Sequence, residues 1–183
     1  MKILNCDKPQ PKHYATVTSP NDIKDLLNTI SKYKNTGTYE VHQALNLGAY
    51  LLLRPSELTG LLWKEVDFKN KIIRIGKGRM KSSDPHLVPM STQVLAQFEE
   101  MYEYRLSKKF VFPSSINRNA SINSESLRVA LRRLGVSKEK FTPHGFRSMG
   151  TTRLYEMGYK EDVVERTLAH SERNKVKASY NHA

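Results

Sequence analysis

Thr142-Pro143-His144-Gly145-Phe146-Arg147 sets a histidine and an arginine three residues apart, and Leu168-Ala169-His170 and Tyr180 follow downstream. Thr142 is a good helix N-cap and Pro143 a good first helical residue, so the sequence predicts a helix starting here with His144 and Arg147 on its first turn. At about 100° per residue, Phe146, Gly150, Leu154 and Met157 share one packing stripe, and His144, Arg147 and Thr151 share another. His144 and Arg147 then point together, away from the main core stripe, beside the free N–H groups that make a helix start attractive to anions. A phosphate would suit such a place; an ordinary surface contact is the competing reading. Tyr180 lies in a polar, basic segment with little apolar neighbourhood to fill, although an exposed or half-packed tyrosine would look the same. The set suits phosphodiester chemistry on DNA with a tyrosine nucleophile.

The rest of the composition agrees with a polyanionic partner. The chain has 183 residues and a net charge of +12, from 30 Lys+Arg against 18 Asp+Glu. A basic excess of this size points toward nucleic acid, or else to scattered surface charge. The length fits one domain with a substantial core. A single cysteine, Cys6, permits no intrachain disulfide and is compatible with a reducing cytoplasm. No apolar run approaches the roughly 18 residues of a membrane span, and the N-terminus has no signal-peptide pattern. The six histidines are dispersed without an HxH, HExxH or Cys/His cluster, so no metal is expected. Gly76-Lys77-Gly78 is too short for a nucleotide loop, and no cofactor is expected.

The elements that must position these residues read as mostly helical. Residues 1–19 read as a tail or linker, and Ser19-Pro20-Asn21-Asp22 as the start of a helix whose buried face is Ile23, Leu26, Leu27 and Ile30. A second helix is expected from about 38 to 53, apolar around most of its circumference and therefore central. Arg54 precedes Pro55, which pushes it out of the helical region and breaks the chain there. Glu57, three residues on, can reach back to orient the Arg54 guanidinium, or the two form a structural pair at a kink.

Ile72, Ile73 and Ile75 read as a strand, Gly76-Lys77-Gly78 as a turn, Arg79-Met80-Lys81 as the return strand or its end, and His86-Leu87-Val88 as a third strand closed by Pro89. Lys69, Lys71, Arg74, Lys77, Arg79 and Lys81 occur here with no acid among them. Such a ribbon could lie on a phosphate backbone, or its lysines could guard a solvated sheet edge. Further helices are expected after Ser91 and after Asn123 or Ser124. The latter ends at Gly135 and carries Arg128, Arg132 and Arg133 on a face suited to phosphate. A last helix spans about 161–168. The expected fold class is thus mainly α with a small antiparallel β-sheet around residues 71–88.

Leu52-Leu53-Arg54-Pro55-Ser56-Glu57-Leu58, Lys81 before His86-Leu87-Val88-Pro89, His144-Gly145-Phe146-Arg147, Leu168-Ala169-His170 and Tyr180 together resemble the catalytic domain of tyrosine recombinases, in the prophage integrase branch. The resemblance covers about residues 20–183. It implies that Tyr180 attacks the scissile phosphate to form a 3′-phosphotyrosyl bond, and that Arg54 and Arg147 clamp its non-bridging oxygens. It further implies that Lys81 protonates the 5′-oxygen, that His144 serves as acid–base partner and that His170 hydrogen-bonds the phosphate. Glu57 supports Arg54. Lys77 is the alternative to Lys81, and Lys77, Arg79, Arg128 and Arg132 are expected on DNA.

The implied partners are double-stranded DNA bearing attachment sites, and further copies of the chain on DNA, a tetramer in a full-length protein. The implied setting is a bacterial or phage-encoded cytoplasmic protein. Family members usually carry core-binding and arm-binding domains before this one and a segment beyond the tyrosine. The chain is therefore expected to be an excised catalytic domain or a remnant. An inert basic DNA-binding fragment and a type IB topoisomerase-like enzyme are the competing functions.

Overall fold

The computed structural model describes residues 14–76, 78 and 85–169. It shows a mainly helical fold with a small three-stranded antiparallel sheet. Helix α1, Pro20–Ser31, starts where its cap chemistry predicts: Ser19 Oγ accepts from the Asp22 N–H at 3.2 Å and donates to the Asp22 carboxylate at 2.6 Å. Its buried face is narrower than the spacing suggests, because Leu26 and Ile30 are buried while Leu27 is exposed.

Helix α2, Tyr39–Leu51, is the central element and packs against α1 and against three later helices: α3 (Pro55–Thr59), α5 (Ser124–Arg133) and α6 (Gly145–Glu156). It stops two residues short of the expected end. Leu52 turns left-handed at φ 51°, and Leu53 and Arg54 leave the helix before Pro55 opens α3. Leu52 joins Val164 and Leu168 in a small apolar cluster that seats α7, Glu161–Thr167, beside this junction.

Strands β1 (Val66–Asp67), β2 (Ile72–Ile75) and β3 (His86–Pro89) lie in that order, with Ile73 opposite Val88 and Ile75 opposite His86. The strand returning against β2 is therefore His86–Pro89; residues 79–84, where a return strand was expected, lie outside the described residues. Nor is the hairpin purely basic, since Arg74 is paired with Asp67 at 3.3 Å. Helix α4, Thr92–Glu103, is capped by Ser91 and buries Val94, Phe98 and Met101. The segment around Val111 and Phe112 is buried and bridges Leu62 and Ser121. Asn123 caps α5, and Gly135, at φ 78°, ends the turn after it.

Two expectations fail near α6. Thr142 and Pro143 do not cap and open the helix. They form a turn in which Gly145 N–H donates to the Thr142 carbonyl at 2.8 Å, so α6 begins at Gly145, and among the described residues the buried Thr142 hydroxyl has no partner. The packing stripe is also displaced: Met149 is buried and Met157 is exposed.

Residues 14–17 are not a free tail. Thr142 N–H donates to the Ala15 carbonyl at 3.2 Å, the Thr16 hydroxyl donates to the Gly145 carbonyl at 2.8 Å, and Val17 is buried. Among the described residues, no helix is long and apolar enough to cross a membrane.

Candidate active site

Four elements meet beside the α2–α3 junction: α3, the start of α6, the end of α7 and β3. The proline after Arg54 fixes the first station. With φ −61° and ψ 144° the residue is extended, and Glu57 on the first turn of α3 folds back on it. The Glu57 carboxylate accepts from the Arg54 backbone N–H at 3.0 Å and from its guanidinium at 2.7 Å. The Glu57 side chain is 3% exposed and that of Arg54 is 21% exposed. A buried carboxylate thus aims a guanidinium that still reaches solvent, the arrangement expected of a charge-assisted pair that orients one member.

Arg147 is the second station, and it is held differently. It is 5% exposed, on the inner side of α6 rather than on the outward face the spacing suggested. Nη1 donates to the Leu52 carbonyl and Nη2 to the Leu168 carbonyl, both at 2.6 Å. Leu52 is the left-handed residue that ends α2, and Leu168 caps the end of α7. Both carbonyls sit at helix ends, where intrahelical donors run out and the dipole favours a cation. Burial, and next the Arg54 guanidinium, push the Arg147 pKa down to about 10, so it stays charged at neutral pH.

His144 precedes α6 and stacks on Tyr14, ring centroids 4.1 Å apart at 29°. Burial, and then repulsion from Arg147 and Arg54, hold its pKa below the usual histidine value. The ring is therefore neutral near pH 7 and able to accept a proton. Arg54, Glu57, His144 and Arg147 are thus brought into one mutual field.

The other expected residues divide. Lys77, Arg79, Lys81, His170 and Tyr180 lie outside the described residues. Arg128 is exposed and paired with Glu125, which holds the carboxyl below its usual range. Arg132 does not present a free phosphate contact. Its guanidinium donates to the Val136 and Phe141 carbonyls, and among the described residues its buried Nε has no partner, so it fastens the α5–α6 connection.

Two residues at the site were not among those expected there. Tyr14 had no periodic signal around it. His86 did leave one: it occupies an inward position of β3, two residues before Val88, where an apolar side chain is the usual occupant. It is buried, and burial first, then Arg147 and Arg54, outweigh Glu57 and the Thr167 backbone in holding its pKa below the usual value.

Residues 16–183 match the phage integrase family. The chain belongs to that family. It is 34% identical over 178 residues to the prophage integrase IntA of Escherichia coli (strain K12), covering 96% of this chain and 41% of that protein. It is 30% identical over 185 residues to the integrase of Enterobacteria phage P4, covering 93% of this chain and 42% of that protein. The integrase-family chain thus spans about two fifths of the length of these curated relatives. A solved structure of the Tn1549 transposon integrase in complex with circular intermediate DNA superposes with a TM-score of 0.70. That match has 21% identity and covers 97% of this chain and 65% of the other. The likeness shows a shared fold.

Proposed function

We propose that this chain is the catalytic domain of a site-specific DNA recombinase that cuts and rejoins strands through a 3′-phosphotyrosyl intermediate, in prophage or genomic-island integration and excision. The observation that carries the reading is the placement of Arg54 and Arg147. Two guanidinium groups, one at the α2–α3 junction and one on α6, are held close enough to repel one another, one by a carboxylate and one by helix-end carbonyls. Such a pair is costly in the empty site and becomes favourable when an anion with two non-bridging oxygens sits between them. Arginine suits the task because its planar fork matches phosphate and keeps its charge.

The chemistry assigned to the remaining residues is what the family resemblance implies beside that clamp. The Tyr180 oxygen attacks phosphorus; the new P–O(Tyr) bond forms as the bond to the 5′-oxygen breaks, and Lys81 gives that oxygen a proton. His144, neutral at working pH, accepts and returns the proton of the tyrosine. His170 donates a hydrogen bond to the phosphate. Reversal by a 5′-hydroxyl of a second duplex rejoins the strand, and the energy of the phosphodiester is conserved in the covalent link. Double-stranded DNA bearing an attachment site is the substrate, and further copies of the chain on DNA are the partners.

A covalent-trapping assay tests this. The protein is mixed with a nicked duplex carrying its host's candidate attachment site, and denatured samples are separated beside those of Tyr180→Phe. The expected result is an SDS-stable protein–DNA band that the variant lacks. Binding without a band in any condition would favour an inert DNA-binding fragment. Relaxation of supercoiled plasmid without site preference would favour a topoisomerase.

A further inference from the structure

His86 is a buried titratable group at this site that the reaction above leaves unused. It is 4% exposed and faces inward from β3 opposite Ile75. Among the described residues, neither Nδ1 nor Nε2 has a hydrogen-bond partner. An apolar side chain would fill the position without stranding a donor and an acceptor, as Val88 does two residues on. The ring lies in the field of Glu57, Arg147 and Arg54, and the Thr167 backbone comes close enough to raise its pKa while staying outside full hydrogen-bond geometry. Thr167 is the last residue of α7, where carbonyls lose their intrahelical donors. The next carbonyl, that of Leu168, is already held by Arg147.

We infer that His86 is a positioning residue whose ring donates to the Thr167 backbone once a phosphate sits between Arg54 and Arg147, latching β3 to the end of α7. The inference rests on the recombinase reading above. An anion between the guanidinium groups removes their repulsion and draws Arg147 toward Arg54. Through its bond to Leu168, Arg147 carries the end of α7 with it. A neutral imidazole has one N–H to give and one lone pair to receive, which fits a single bond to a carbonyl. The latch has a purpose in sequence terms. In sequence, β3 follows the segment that holds Lys81 and His170 comes two residues after Leu168, so the latch joins the two described elements that lead into two proposed groups.

The test compares the parent chain with His86→Leu and His86→Gln. Thermal midpoint, duplex affinity and single-turnover cleavage of the nicked duplex are measured for each. His86→Leu is expected to melt no lower than the parent, to bind DNA equally and to cleave at least tenfold more slowly, with His86→Gln, which keeps a donor, regaining part of the rate. A His86→Leu variant that cleaves at the parent's rate overturns the latch alone. So does a Gln variant no faster than Leu. A parent that forms no adduct overturns the recombinase reading itself and the latch with it. Imidazole ¹⁵N NMR of the parent reads the bond without any substitution. The His86 N–H is expected to shift downfield and exchange more slowly when duplex is added, and an unchanged signal counts against the latch.

Discussion

The two arginine stations differ in how far along the chain their supports come from. Arg54 is aimed by Glu57, three residues away on the same turn. Arg147 is held by carbonyls 95 and 21 residues away in sequence. The first is a local device: a proline breaks the helix, and an acid at the third position of the next helix folds back. It can be assembled before the rest of the fold. The second exists only when α2, α6 and α7 have docked, so it doubles as a tertiary fastening. On the proposed function, one station therefore reports chemistry and the other reports chemistry and folding together.

That difference is tested most severely by Arg147→Met. The substitution keeps much of the volume but strands the Leu52 and Leu168 carbonyls in a buried place. A loss of about 3 kcal/mol is expected, since hydrogen bonds to charged groups contribute roughly 1.5–3 kcal/mol each and buried unpaired carbonyls are costly. Urea unfolding measures it, and cleavage should fall at least in step with the removal of a phosphate clamp, on the order of 100-fold or more. An unchanged midpoint would mean that Arg147 is no fastening.

Gly145→Ala probes the other side of the same station. A Cβ there would lie 2.6 Å from the Ala15 carbonyl oxygen and 2.9 Å from the Phe141 ring. The first of these is backbone and cannot rotate away, so residues 14–17 must lift. Overpacking of this kind costs about 1–3 kcal/mol, and proteolysis in the segment should quicken. Glu57→Gln belongs to the local station and should act the opposite way. It keeps the shape and a hydrogen bond but removes the charge, so about 1 kcal/mol of stability is expected to go. Cleavage is expected to fall by about tenfold, with the larger fractional effect on rate. If Glu57→Gln unfolds the chain more than Arg147→Met does, the contrast between the stations is reversed.

What could be read from the sequence follows the same division. Ser19, Asn123, Gly135 and the Arg54–Glu57 pair were legible because cap, turn and three-residue spacings are local physics. The central place of α2 was legible from its apolar circumference. The start of α6 was not, because the turn at Thr142 is set by Ala15 and Thr16, more than a hundred residues earlier, and no local rule carries that contact. Arg132 looked like a phosphate ligand because exposed arginine faces are common on helices; the carbonyls of Val136 and Phe141 that claim it arrive only after the chain turns at Gly135. Arg147 was legible in identity but not in burial. His86 could have been found by asking why a strand's inward position holds an imidazole.

The smallest expected effect concerns Tyr14, and it separates the docked segment from the two arginine stations. Tyr14→Ala removes a stacked ring worth about 0.5–1.5 kcal/mol beyond its buried area, whereas Tyr14→Phe should change little. The variant's stability should also depend on pH in a definite direction. The groups that act on His144 are Arg147, Arg54 and Glu57, and burial, to which Tyr14 contributes, is the largest cause of its lowered pKa. A histidine whose folded pKa lies below its unfolded value stays neutral in the fold while the unfolded chain takes up a proton. Stability is therefore fully present above the unfolded value, about 6.5, and is lost as pH falls through the folded value. Exposing the ring in Tyr14→Ala raises the folded pKa toward the unfolded one and shrinks this acid loss. The gap in urea midpoint between parent and variant should accordingly be wider near about pH 7.5 than near about pH 5.5, either side of the free histidine value. A gap that widens in acid would mean that Tyr14 does not set the burial of His144, and a direct NMR titration of the His144 ring in both proteins would show the same thing from its midpoint.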